Sequence, residues 1–305
     1  MILHHYDFSN YSEKIRLVFG LKRAAWDSVE IPAYAPKPDY TPLTAGYRRT
    51  PALQIGADVY CDTRLIVEEL ERRLEGPSVY GHLGADSGSA LCTPWVHWAE
   101  TSLMRPLALY ITGVHARRFP DAFHADRAKL HLKAPPSVEQ VENSARRYRM
   151  QVEAQWPVLE QALHAGRPFL LGDEVTIADL AAYEAPWFLR TISGDTQAPL
   201  GFPAIAAWSA RVAELGHGEV RSIDPADALA RARAATPAQL PDATADPDGP
   251  SIGTQVKVGP FDQQSPATGE LLRADARVIS IARESPETGL IHVHFPRLGY
   301  RLSAA

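Results

Sequence analysis

The chain has 305 residues, 45% hydrophobic and 22% charged, with a formal net charge of −5. That length suits two or three domains, each able to bury a core, and the mildly acidic balance excludes a general attraction to nucleic acid or anionic membrane, leaving small molecules and proteins as expected partners. Only Cys61 and Cys92 are present, in no metal-ligand spacing, so neither a disulfide framework nor a metal site is expected. With no signal-like start and no apolar run of about eighteen residues, a soluble cytoplasmic protein is expected.

"MILHHY" opens as a short strand. "DFSNYSEKIRLVF", residues 7–19, then sets two hydroxyls and an amide before a helical pattern in which Ile15, Val18 and Phe19 form the buried stripe. Ser9 is read in two ways: as a helix cap and nothing more, or as a group that meets an anion above the helix. "DSVEIP" alternates like a second strand, "TPALQIG" and "DVYC" like two more separated by Gly56, and "TRLIVEELERRLE" is a periodic helix stopped at Gly76. Pro36, Pro38 and Pro42 leave room between the second and third strands only for a short helix or a loop.

From about Ser89 the strand signal gives way to helical periodicity over Pro94–Thr112, Val138–Ala165, Ile177–Thr191 and Ala204–Leu215. The basic and aromatic stretch at 112–137 between the first two reads as a long functional or mobile connection. Its His115, His124 and His131 with Asp126 lack an i, i+4 pair and are expected to be solvated rather than metal-binding. "EVTIADL" predicts a capping box between Thr176 and Asp179, a structural feature. Residues 228–250 read as a helix end and linker. Beyond them "SPATG" (265–269) and "SPETG" (285–289) repeat one turn chemistry, while "ARVISIA" and "LIHVHF" alternate as half-buried strands, which predicts a small hairpin-built β module. The expected partition is 1–78, 89–228, a linker at 229–250, and 251–305.

Taken together, S-N-Y-S-E-K-I-R at 9–16, T-P-A-L at 50–53, C-D-T-R-L-I-V-E-E-L at 61–70 and the Thr176–Asp179 capping box resemble the glutathione S-transferase family over roughly residues 1–220. The resemblance implies an α+β multidomain protein: a thioredoxin-like α/β domain holding glutathione as co-substrate, an all-α C-terminal domain, and here an appended small C-terminal β module. It also implies a homodimer and no metal. Ser9 falls where serine-type and cysteine-type members place the hydroxyl or thiol that meets the glutathione sulfur, and serine favours thiol activation over mixed-disulfide exchange. Tyr6, Asn10, Tyr11 and Ser12 compete for that role. Tyr6 lies near the phenol position of tyrosine-type members, Tyr11 is placed among the glutathione-binding residues, and Ser12 is expected to face away. Thr50-Pro51 matches the cis-proline step that pairs with the cysteinyl backbone, and Arg49 stands where a residue reaches the glycyl carboxylate. Asp62 and Thr63 replace the family's Glu/Gln-Ser pair at the γ-glutamyl group, Asp being shorter and Thr bulkier. Trp98, Thr101 and Arg105 are the expected second-substrate residues.

Activation on this scheme is electrostatic. A thiol of pKa roughly 8.5 is mostly protonated at neutral pH. Lowering that value by about two units takes roughly 2.7 kcal/mol of preference for the thiolate, within reach of a helix N-terminus and one hydroxyl donor. The expected activity is thiolate attack on a small hydrophobic electrophile. The alternatives are a non-catalytic ligand- or protein-binding member, and a glutathione-dependent etherase, dehalogenase or isomerase. The β module is open to three roles: capping the cleft, adding to a dimer, or recruiting a partner.

Overall fold

The computed structural model describes residues 1–164, 166–194, 201–241, 246–262 and 266–305. Strand β1 (Ile2–His5) runs parallel to β2 (Ala25–Glu30) and antiparallel to β3 (Ala52–Ile55), which turns through Gly56 (φ 62°) into the antiparallel β4 (Asp58–Cys61). Helix α1 (Asn10–Leu21) joins β1 to β2, and α2 (Thr63–Arg73) follows β4. Between β2 and β3 the proline-interrupted segment forms turns and no helix, and both Ala35-Pro36 and Thr50-Pro51 are cis.

The sheet is buried on both faces. Leu3, Leu53 and Tyr60 pack with Phe19, Ile66 and the helical domain, while Ile2, Ala52 and Val59, one residue out of phase, face a second core. With no helix between β2 and β3, this second face is covered by Tyr40, Leu43 and Tyr47 of the turn segment and by the C-terminal part of the chain.

Helix α3 (Ala85–Trp98) continues through a π turn at Ala99–Met104 into α4 (Arg105–Val114). Pro106 follows the wide turn, where its missing N–H and its ring disfavour a regular α-helical ladder. α6 (Val138–Leu163), α7 (Ile177–Ser193) and α8 (Pro203–Ala213) occupy the expected helical stretches, residue 165 lying outside the described residues. The connection at 112–137 departs from expectation, because it contains α5 (Asp121–Leu130). This helix has little helical periodicity and is fixed by tertiary bonds. His124 Nε2 meets the Ala116 carbonyl at 3.0 Å, Asp126 pairs with Arg48, and Arg127 donates to the Ala33 carbonyl at 3.0 Å. His124 and Asp126 are therefore buried, not solvated.

After α8 the chain returns to the sheet. β5 (Glu219–Ser222) pairs parallel with β2 inside the stretch assigned to the helical domain, and α9 (Pro225–Ala234) enters the expected linker. Strands β6 (Gln255–Pro260), β7 (Ala267–Ala274), β8 (Val278–Ser285), β9 (Gly289–Pro296) and β10 (Tyr300–Ala304) form the β module, with antiparallel neighbours throughout. Ser265 of the first repeated turn lies outside the described residues, as do 242–245 of the linker. The module is not a sheet of its own. β9 pairs parallel with β4, setting Asp58, Val59 and Tyr60 opposite His292, Val293 and His294, so the order among described residues is β10-β6-β7-β8-β9-β4-β3-β1-β2-β5. Among the described residues no helix is long and apolar enough to cross a membrane.

One side chain fastens this junction. The Asp58 carboxylate accepts from His294 Nε2 at 3.0 Å and from the Ala238 N–H at 2.8 Å, and His294 Nδ1 meets Ser280 Oγ at 2.9 Å. Burial alone raises the Asp58 pKa, but these hydrogen bonds outweigh it and hold the carboxyl below its ordinary value. We expect Asp58→Ala to cost about 2–3 kcal/mol in urea unfolding. A depressed folded-state pKa contributes stability that is complete above the unfolded value of about 4 and is lost as pH falls through the folded one, so this part of the acid dependence should vanish in the variant. A second site tests the fit of α1 against the α8–β5 connection. A Cβ on Gly20 would lie 2.1 Å from the Gly216 carbonyl oxygen, backbone against backbone. Gly20→Ala should therefore lower stability by about 1–3 kcal/mol or more, measured as a shift in the urea midpoint.

Candidate active site

Strand direction decides which loops meet. β1 and β4 are both antiparallel to β3 and hence parallel to each other, and β9 is parallel to β4. The carboxyl ends of all three lie on one edge of the sheet, where α1, α2 and the turn before β10 begin, the usual place for a site in an open parallel sheet.

At the start of α1, Ser9 is the N-cap in extended conformation (φ −78°, ψ 114°). Its Oγ accepts from the Ser12 N–H at 3.3 Å and from the Ser12 hydroxyl at 2.8 Å. Ser12 thus faces Ser9 rather than away, correcting the expectation, because the capping geometry brings the first turn back onto the cap oxygen. Having accepted twice, the Ser9 hydroxyl keeps its own proton to donate. It is 2% exposed. Next to it in the chain begins an aromatic layer whose phenylalanines are absent from the expected site. Tyr6 lies 4.8 Å from Phe8, Phe8 lies 6.3 Å from Phe119, and Phe119 stacks on Phe123 at 4.6 Å between ring centres.

α1 also carries a buried charge cluster between the two domains. Asn10 Nδ2 donates to Glu184 at 2.6 Å, and Lys14 Nζ pairs with Glu184 at 3.1 Å and with Glu100 of the π turn. Burial raises the Glu184 pKa and Lys14 opposes the shift, with the Glu100 charge adding to the rise. The Tyr11 ring lies 5.4 Å from Lys14 Nζ, and burial, then Glu100 and Glu184, push its phenol well up, which keeps it protonated.

Around the cis step, Thr50 Oγ1 accepts from Lys37 Nζ at 3.0 Å, and burial, then Arg48 and Arg127, push Lys37 down to about 7. The Arg49 carbonyl accepts from the Tyr40 phenol, and its guanidinium pairs with Asp262. Asp62 is the N-cap of α2 at φ 74°, a backbone region that costs about 1–3 kcal/mol for a residue with a Cβ and persists only where its surroundings fix it. Its carboxylate is held on both oxygens, accepting from the Arg64 N–H at 3.0 Å and from the Tyr300 phenol at 2.9 Å, with Tyr47 Oη 2.5 Å from Tyr300 Oη. Thr63, first in α2, is buried.

Ser9, Arg49, Thr50, Asp62 and Thr63 therefore share one edge of the sheet. The three residues expected to meet the second substrate have other contacts. Trp98 donates to Gln155 of α6 at 3.1 Å, Thr101 donates to the His97 carbonyl at 2.6 Å, and Thr101 and Arg105 are exposed. Glu100 is the member of that turn that reaches α1. Sequence reasoning missed Glu184, though a single carboxylate in the apolar run "LAAYEAPWF" was a signal. It also missed Phe119 and Phe123, flagged only as part of an aromatic connection, and Asp262, which carried no local signal, while Tyr300, in the "HVHFPRLGY" stretch at 292–300, reads from sequence as surface and core alternation more often than as a site. Among the described residues no group of three or more His, Cys, Asp or Glu is placed to hold a metal ion.

The family models described as the N-terminal and C-terminal domains of glutathione S-transferase match residues 3–78 and 118–215. A GST-like protein from Pseudomonas syringae is 35% identical with a TM-score of 0.73, the match covering 100% of this chain and 98% of that one. Gtt2 from Saccharomyces cerevisiae (18% identity, TM-score 0.54, 70% of this chain and 96% of that one) shares the fold alone. So does a glutathione S-transferase from Methylobacillus flagellatus with GSH bound (19%, 0.52, 70% and 94%). No protein with a curated description matches significantly. With both domain models matched in order and a 35% identical relative aligned along the whole of this chain, the chain belongs to the glutathione S-transferase family.

Proposed function

We propose that the protein is a glutathione transferase in which the Ser9 hydroxyl donates a hydrogen bond to the bound glutathione thiolate, stabilising it for attack on a small hydrophobic electrophile. The observation that carries this reading is the Ser9 oxygen itself: it caps α1 as an acceptor while its proton stays available, at the helix end where N–H groups and the helix dipole favour an anion. Serine forms no covalent bond to the substrate in this scheme. Glutathione's sulfur is the nucleophile, its thiol proton leaves to solvent, and the electrophile's leaving group departs as the carbon–sulfur bond forms. Thr50-Pro51 presents backbone to the cysteinyl unit, Arg49 takes the glycyl carboxylate, Asp62 and Thr63 take the γ-glutamyl end, and Tyr11 stays protonated as a donor. The Phe8–Phe119–Phe123 layer supplies an apolar wall for the electrophile, in place of Trp98, Thr101 and Arg105. A homodimer in a reducing cytoplasm completes the proposal, and two free, buried cysteines accord with that compartment.

The low exposure of Ser9 and the prior engagement of Arg49 and Asp62 favour one second reading, a member that binds a ligand or protein without catalysis. Retention on immobilised glutathione and turnover of an aryl halide separate the two. On the transferase reading, Ser9→Ala lowers kcat/KM by about 10- to 100-fold, the worth of one hydrogen bond to a charged sulfur, and the bound thiol titrates about one unit higher, the helix terminus still supplying the rest. Ser9→Thr keeps cap and hydroxyl and should retain most activity, which separates the loss from the cost of a missing cap. Equal inertness of folded native protein and Ser9→Ala would select the second reading.

A further inference from the structure

The appended module reaches into the ligand edge at two points. The turn after β9 sets the Tyr300 phenol 2.9 Å from Asp62, and the loop after β6 sets Asp262 against Arg49. The Thr268 N–H, at the start of β7, donates to the Ala45 carbonyl at 3.0 Å and ties the module to the segment that carries Arg49. Arg49 and Asp62 are the groups assigned above to opposite ends of the tripeptide. Tyr300, 2% exposed, is a fixed wall, whereas the Arg49 and Asp262 side chains are 28% and 52% exposed and stand where a ligand in solution can reach them. An aspartate carboxylate on a guanidinium is the same chemistry that a peptide's terminal carboxylate offers.

We propose that Asp262 is an internal counter-ion of the ligand site: it fills the carboxylate position on Arg49 and is displaced when a ligand with a free terminal carboxylate binds. The inference rests on the reading of Arg49 as the glycyl-carboxylate group of a glutathione site. A partly exposed ion pair is weak and exchangeable, so the module lowers affinity without abolishing it and discriminates against ligands that bring no carboxylate to replace Asp262. Tyr300 stays in place during the exchange, orienting Asp62.

Calorimetric titration of the full-length native protein, Asp262→Asn and Asp262→Glu, each with glutathione and with its glycyl ethyl ester, tests this. Asp262→Asn is expected to bind glutathione about three- to fivefold more tightly than the native chain, with the ester unchanged and Asp262→Glu close to native. Binding of glutathione by Asp262→Asn that is no tighter than native, or an equal gain for the ester, overturns the inference and leaves the glutathione reading standing. Binding by Asp262→Asn alone supports the inference. Failure of both proteins to bind glutathione removes the inference together with the reading beneath it.

Discussion

The outer edge of β4 is the constraint on which the rest of the structure depends. In a four-strand unit of β1 to β4 that edge would present unpaired N–H and C=O groups, an invitation to pair with another chain. Here β9 covers it in parallel, and a parallel partner cannot arrive through a tight hairpin, so the chain crosses the whole helical domain before returning. Its direction has a consequence. Because β9 runs with β4, its carboxyl end emerges beside Asp62, and the short turn into β10 brings Tyr300 onto that carboxylate. The same pairing that covers the β4 edge also decides which side chains border the candidate site.

A second need meets the same solution. The opening βαβ unit lacks a helix between β2 and β3, since Pro36, Pro38 and Pro42 break that segment, which leaves Ile2, Ala52 and Val59 without a helical cover. Turn residues Tyr40, Leu43 and Tyr47, with α9 and the module's Ile279, Val293 and Phe295, fill that face. The module is thus core to the first domain. The match to the 35% identical relative covers the whole of this chain, the module included.

What could be read in the sequence followed the range of the interactions. β1 to β4, α1 and α2 were legible because their periodicity, Gly56 and the capping residues are local signals. The Thr50-Pro51 cis bond was legible only through the family resemblance. The partition of the chain was less so. β5 has four exposed residues and exists because it lies along β2, and α5 is held by Asp126 and His124 rather than by an apolar stripe. The candidate site divides the same way. Ser9, Thr50 and Asp62 belong to motifs, whereas Glu184, Tyr300 and Asp262 come from 174, 238 and 213 residues away from their partners Asn10, Asp62 and Arg49. No window along the chain contains both halves of such a pair.

The two readings of Ser9 posed by the sequence are not rivals once its hydrogen bonds are known. A cap uses the lone pairs of the oxygen, directed inward at the Ser12 N–H and hydroxyl, and a thiolate uses the proton on the other side. The Ser12 hydroxyl donates into Ser9, and a hydroxyl that accepts such a bond is polarised into a stronger donor, so the Ser12–Ser9 chain strengthens the bond that would meet the sulfur. The cost of this arrangement is access. Ser9 is only 2% exposed, so on the transferase proposal the binding energy that brings the sulfur to its oxygen has to come from the two ends of the tripeptide. On the transferase proposal those ends meet Arg49 and Asp62, the two groups the module already touches. On that proposal, control of thiolate formation passes, through positioning, from the first helix to the last strands of the chain.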